Sequence, residues 1–281
     1  MVESQVAERR TEMILAAPAP DLRSLVTSYT GYRIRGAPAG VHRGLPSRSL
    51  TVVLTIEGTV DIGGARRARG YGSYRALASG LHDEVVLIEH DGNQYGLQAD
   101  LTPLGARALL GLPAGALAGA IVDLDALLGP AAGELIDRLR AAPTWPERFE
   151  HLDSVLSRVA NPTDVPAELA WVWRRLTGSG GALPIGALAT EVGWSRQHLG
   201  SQFQREFGLS PKRVARVIRF ESAHRLLAAS PRSRIADIAA RSGYYDQAHL
   251  DRDWRALTGL SPTAWLSHEL PFVQDGTADE R

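Results

Sequence analysis

Residues 235–262 read IADIAARSGYYDQAHLDRDWRALTGLSP, and residues 185–211 read IGALATEVGWSRQHLGSQFQREFGLSP. The two stretches are versions of one pattern. Ile185, Leu188, Ala189 and Gly193 correspond to Ile235, Ile238, Ala239 and Gly243 at an offset of fifty residues. One inserted residue near Tyr244-Tyr245 moves the offset to fifty-one, so that His198-Leu199, Phe203 and Gly208-Leu209-Ser210-Pro211 correspond to His249-Leu250, Trp254 and Gly259-Leu260-Ser261-Pro262. Each copy predicts a short helix with apolar residues at i and i+3, a glycine able to take the left-handed turn conformation, a capping residue, and a second helix. Ser195 is the expected cap of the second helix in the first copy, with Leu199, Phe203 and Phe207 on its buried side. Asp246 is the expected cap in the second copy, over Leu250, Trp254 and Leu257. The opposite sides carry Arg196, Gln197, Ser201 and Gln204 in one copy and Gln247, Ala248, Asp251 and Arg252 in the other. Polar helix faces are usually just solvated surface. Here, however, the copies flank a continuous Arg-bearing helix, PKRVARVIRFESAHRLL from residue 211, which would hold both second helices in one frame.

Residues 166–268 resemble the DNA-binding domain of the AraC/XylS family. The resemblance is carried by Ile235-Ala236-Asp237-Ile238-Ala239, the Gly243-aromatic pair, Asp246-Gln247, His249-Leu250, the aromatic Trp254 and Gly259-Leu260-Ser261-Pro262. It covers about a third of the chain. It implies two helix-turn-helix units on a linker helix at roughly residues 211–228, preceded by a first helix at residues 168–176, with both recognition helices entering adjacent major-groove segments. By position, base contacts then fall to Arg196, Gln197 and Ser201 in the first unit and to Gln247, Asp251 and Arg252 in the second. Arg205, Arg213, Arg241 and Arg255 are the expected phosphate contacts, chosen by charge and location. Two residues depart from the pattern. Gly200 stands where a base-reaching side chain is common, at a helix-propensity cost of roughly 1 kcal/mol relative to Ala. Asp251 could accept from cytosine, orient Arg252, or merely form an ion pair on the helix face.

The charge distribution is divided in the same way. The formal net charge is zero over 281 residues, yet residues 166–268 hold fourteen Lys and Arg against eight Asp and Glu, leaving the remainder acidic. All but Lys212 of these cations are Arg, which suits bidentate phosphate and guanine contacts, although genomic base composition produces the same bias.

Toward the N-terminus the pattern changes to strands. Residues 50–62, LTVVLTIEGTVDI, are rich in β-branched residues and broken at Glu57-Gly58, which predicts two strands and a turn. Further strands are expected at residues 72–76, 85–90 and 94–98, with Asp91-Gly92-Asn93 as a hairpin turn, whereas residues 1–20 show no periodicity and residues 16–20 read as an extended lead-in. Residues 103–160 shift to Ala and Leu, predicting helices. In the last of them Trp145, Phe149, Leu152, Leu156 and Val159 form one stripe behind a Thr144/Glu147 capping box. That stripe fits either core packing or a dimer seam. The expected fold is therefore α+β: residues 1–160 form an antiparallel, cupin-like barrel with helices for effector binding or dimerisation, 161–165 a linker broken at Asn161-Pro162-Thr163, 166–268 an all-α domain with two helix-turn-helix units, and 269–281 a tail.

The zero cysteine count excludes disulfides, thiolate nucleophiles and the methyl-accepting thiol of a DNA-repair regulator. His42, His82 and His90 lack the His-x-His pair and downstream Glu of a metal-bearing cupin, so neither a metal nor a cofactor is expected. Arg43, His90, Gln94 and Tyr95 are the candidate polar groups of an effector cavity. No apolar run is long enough to span a membrane and no signal peptide is evident, so a cytoplasmic protein is expected. The leading reading is a sequence-specific DNA-binding transcription regulator whose partners are double-stranded DNA, a small-molecule effector, a second copy of the chain and, for an activator, RNA polymerase. A barrel-fold enzyme with a DNA-binding appendage is the alternative, and no acid, base or metal constellation in residues 40–100 favours it.

Overall fold

The computed structural model describes residues 10–64, 72–161 and 165–268. Among the described residues of the first half are ten strands: β1 (Arg10–Ala16), β2 (Val26–Arg35), β3 (Gly40–Gly44), β4 (Leu50–Glu57), β5 (Val60–Gly64), β6 (Gly72–Tyr74), β7 (Ala76–Ser79), β8 (Val86–His90), β9 (Gln94–Leu101) and β10 (Ile121–Asp123). They form two antiparallel sheets, ordered β1-β2-β9-β4-β7-β10 and β3-β8-β5-β6. Together these make the expected cupin-like layer pair, as an open sandwich and not a closed barrel. The Glu57-Gly58 break is real: Gly58 takes φ 72° between β4 and β5. The expected strand at residues 72–76 is two strands, β6 and β7, one in each sheet.

Residues 10–16 lie in the stretch whose sequence shows no periodicity. They form edge strand β1, fully registered against β2 from Arg10↔Arg35 to Ala16↔Tyr29. An edge strand exposed on both faces has no alternating pattern, so its pairing comes from the β2 template.

The helices α1 (Pro103–Leu110), α2 (Asp125–Leu128), α3 (Pro130–Ala141) and α4 (Trp145–Val159) cover the outer face of the larger sheet. α4 begins with the predicted capping box, the Thr144 hydroxyl accepting from the Glu147 N–H. Of the two readings of its stripe, the structure uses core packing. Trp145, Phe149, Leu152 and Leu156 are buried, Val159 packs at the edge of the same cluster, and Tyr29 donates to the Asp153 carboxylate at 2.8 Å. The Trp145 ring lies on Gly31, where any Cβ would overlap it. The stripe is therefore not available as a dimer seam.

The second half is helical: α5 (Ala167–Gly178), α6 (Ile185–Glu191), α7 (Arg196–Phe207), α8 (Pro211–Ala229), α9 (Ile235–Arg241), α10 (Gln247–Thr258) and α11 (Pro262–His268). Between α4 and α5, residues 162–164 lie outside the described set, as does the expected tail from residue 269. The hydrophobic core does not respect the expected boundary. One cluster runs from Leu22 through the sheet and α4 to Leu199, Phe203 and Ile218, so the first helix-turn-helix unit shares a core with the N-terminal half. The second unit has its own core around Phe220, Trp254 and Trp265.

Candidate nucleic-acid interface and the cavity behind it

Both repeats fold as their capping chemistry dictates. Gly193 and Gly243 turn at φ 72° and 76°. The Ser195 hydroxyl then accepts from the His198 N–H at 3.1 Å, and the Asp246 carboxylate accepts from the His249 N–H at 2.7 Å. Each capped helix stacks its histidine edge-on against the aromatic after the turn glycine, His198 with Trp194 at 4.7 Å and His249 with Tyr244 at 5.1 Å. The buried sides are the predicted ones. Leu199, Phe203 and Phe207 are buried, the two rings against Trp173, and Leu250, Trp254 and Leu257 share a core with Phe220, which Trp254 meets edge-on.

The opposite faces stay open. Arg196, Gln197 and Ser201 on α7 and Gln247 and Arg252 on α10 are exposed, and Asp251 is half-buried beside them. The α10 acid that forms ion pairs is the next one, Asp253, which accepts from Arg216 at 2.8 Å and lies 3.7 Å from His249. Arg216 thereby ties α10 to the linker helix α8, and Arg219 ties the same helix to the Gly181 carbonyl at 3.0 Å. These two linker arginines are structural. Arg205, Arg241 and Arg255 are exposed, and Arg213 is exposed but 3.3 Å from Asp83 of the N-terminal half. The sequence reading missed one residue on this surface. Tyr245 is 94% exposed at the turn into α10, and its signal was the one-residue insertion that shifts the repeat offset.

Behind the recognition helices the two halves interlock. Arg107 on α1 donates through Nε and Nη2 to the two carboxylate oxygens of Glu206 on α7, each at 2.7 Å. A methyl group at Gly115 would overlap the Arg205 carbonyl oxygen, so the backbones themselves touch. The N-terminal half thus grips the C-terminal end of α7 and leaves its N-terminal end exposed.

Between the sheets and α8 lies a cavity of about 550 Å3, within the range of roughly 300–1,000 Å3 common to small-molecule sites. Strand parity decides which side chains reach it. On β9, Gln94, Gln98 and Asp100 line it, and Tyr95 points to the other face, against Trp145 and under Arg33 and Arg148. On β3, His42 lines it and Arg43 does not. Of the four expected effector residues, only Gln94 therefore faces the cavity, while His90 stacks 5.6 Å behind His42. A period-two continuation from Gln94 would have found Gln98 and Asp100. Burial lowers the His42 pKa to about 4 and lowers that of His82, so both are neutral at physiological pH. No His, Asp or Glu cluster suited to a metal occurs among the described residues.

The remaining wall is α8 itself, through Phe220, Glu221, His224 and Arg225. Phe220 and His224 are also core residues of the second unit, with Phe220 5.1 Å from Trp254 and His224 4.4 Å from Trp265. The cavity wall and the base of the second recognition helix are one set of side chains.

Residues 188–268 match the family model described as "Helix-turn-helix domain", the segment that holds both repeats. That segment lies within the residues whose sequence resembles the AraC/XylS family. No curated protein sequence matches it. Among solved structures, ToxT from Vibrio cholerae is 10% identical over 92% of this chain and 98% of its own, with a TM-score of 0.50, and the match shows a shared fold across both halves. A ToxT structure from the same species, described as unsaturated fatty acid bound, is 10% identical over 92% and 96% of the two chains at a TM-score of 0.49. The C-terminal domain of AraT from Geobacillus stearothermophilus is 20% identical over 42% of this chain and 97% of its own at 0.35. The helix-turn-helix match implies DNA binding, and no helix among the described residues is long and apolar enough to cross a membrane.

Proposed function

We propose that this protein is a transcription regulator of the AraC/XylS type that reads DNA with α7 and α10 and responds to a small molecule held between its sheets and α8. The observation that carries the reading is the double duty of α8: it mounts the second recognition helix through Arg216, Phe220 and His224, and it closes the cavity with Phe220 and His224. A ligand pressing on that wall acts directly on the seat of α10, which supplies a differential contact between two placements of the second unit. Arg196, Gln197, Ser201, Gln247, Asp251 and Arg252 are the proposed base readers, joined by Tyr245 at the turn. Arg205, Arg213, Arg241 and Arg255 are the proposed phosphate contacts.

Within α10 the roles divide by position. Arg252 lies nearer the N-terminal, groove-entering part of the helix, and Arg255 lies one turn later. Binding-site selection with Arg252→Ala and Arg255→Ala beside the parent tests this. Arg252→Ala is expected to lose preference at one base position, at a cost of about 1–3 kcal/mol. Arg255→Ala is expected to weaken all sequences alike and to flatten the salt dependence by about 0.9 in slope. Full parental preference in Arg252→Ala, or affinity indifferent to salt, refutes the assignment.

A further inference from the structure

The cavity has two ends of different chemistry. One is apolar, with Ile62, Leu77, Val86 and Ile121 packed as a separate cluster whose inner surface faces the space. The other holds two carboxylates from distant parts of the chain, Asp100 on β9 and Glu221 on α8. Asp100 accepts from the Ser28 hydroxyl at 3.0 Å and from the Gln98 amide at 2.9 Å, both neutral donors. Glu221 accepts from the Arg48 backbone N–H at 2.8 Å through Oε1. Its Oε2 lies 3.3 Å from the Arg48 guanidinium and receives no hydrogen bond among the described residues.

Of the two acids, then, Glu221 has Arg48 beside it and Asp100 is held by neutral donors. The other cation, Arg225, sits exposed at the rim. His42 and His82, held neutral by burial, add no positive charge. Burial raises the pKa of both Asp100 and Glu221, outweighing the hydrogen bonds to Asp100 and the pull of Arg48 and Arg225 on Glu221.

We infer that the effector is an amphiphilic organic cation, its ammonium group donating to Asp100 and Glu221 and its hydrocarbon lying against Ile62, Leu77 and Ile121. This rests on the reading of the cavity as an effector site and deepens it. A charge-assisted N–H donor supplies Asp100, which has neutral donors, and the Glu221 oxygen that receives no hydrogen bond among the described residues, whereas an anionic headgroup would meet both carboxylates. It would also join the sheet to α8 through the ligand, since one acid belongs to each.

The test is calorimetric titration of the full-length protein with octylammonium, 1-octanol and octanoate, three probes of one length and three headgroups. Octylammonium is expected to bind at least about tenfold more tightly than either of the others. Asp100→Asn and Glu221→Gln should each remove roughly that advantage. Both variants should bind 1-octanol as the parent does, which reports an intact cavity. Tighter binding of octanoate, weakened by Arg48→Ala, overturns the cationic assignment and leaves the effector reading standing, as does equal binding of all three probes. If none of the three binds, the effector reading falls with it.

Discussion

Replacing Arg107 by alanine should loosen the first helix-turn-helix unit from the N-terminal half. The Glu206 side chain is 6% exposed and that of Arg107 31%, and two hydrogen bonds of 2.7 Å join them. Without the guanidinium, Glu206 is left as an uncompensated carboxylate under the interface. Breaking a fully buried pair costs about 3–5 kcal/mol. Because Arg107 is partly open to water, which can follow into the gap, about 2–4 kcal/mol is the expected loss here. For a chain of this size that corresponds to a fall in thermal midpoint on the order of 5–15 °C. Calorimetric melting of Arg107→Ala beside the parent measures it, and the double replacement Arg107→Leu with Glu206→Leu is the control. Removing both charges should recover most of the loss, because the cost lies in the orphaned acid and not in the missing attraction. A drop of under about 2 °C in the single variant, or a double variant as unstable as the single, would refute the assignment of Arg107 as the electrostatic clasp.

Two further outcomes follow from other sites. The folded-state pKa of His42 lies near 4, below the ordinary 6.5, so between those values the unfolded chain binds a proton that the folded chain refuses. Stability should therefore fall as pH drops through that window, by at most about 3 kcal/mol from this group, and His82 acts in the same sense. Asp100 and Glu221, with raised values, act oppositely. Comparing the melting of His42→Gln with the parent from pH 7 to pH 4 isolates the histidine, and parallel curves would disprove its role. On α7, a Cβ added at Gly200 meets nothing within 4 Å, and the residue is not in the left-handed region. Gly200→Ala should therefore raise stability by about 1 kcal/mol, checked by denaturant titration, and a destabilised variant would mean the backbone there is strained in a way the helix does not reveal.

The parts of this protein legible in its sequence are those whose causes lie within one or two turns of chain. Ser195 and Asp246 cap the helices they precede, Gly193 and Gly243 turn where only glycine turns freely, and Thr144 and Glu147 close their box, because donor and acceptor are three residues apart in each case. The repeat makes those local rules visible twice, and with them come the fold of the C-terminal half and the exposed faces of α7 and α10. Strand β1 was invisible because an edge strand has no hydrophobic alternation of its own and takes its register from β2. As expected cavity residues, Arg43 and Tyr95 are off by one position because a strand's two faces differ by a single residue, and which face meets a cavity depends on what packs behind the other. The groups that define the molecule's working parts are paired across long separations: Arg107 with Glu206 over 99 residues, Arg48 with Glu221 over 173. No spacing rule connects such residues. They meet because the first helix-turn-helix unit buries its apolar side in the same core as the sheet, and that shared burial brings α7 against α1 and lays α8 across the mouth of the cavity.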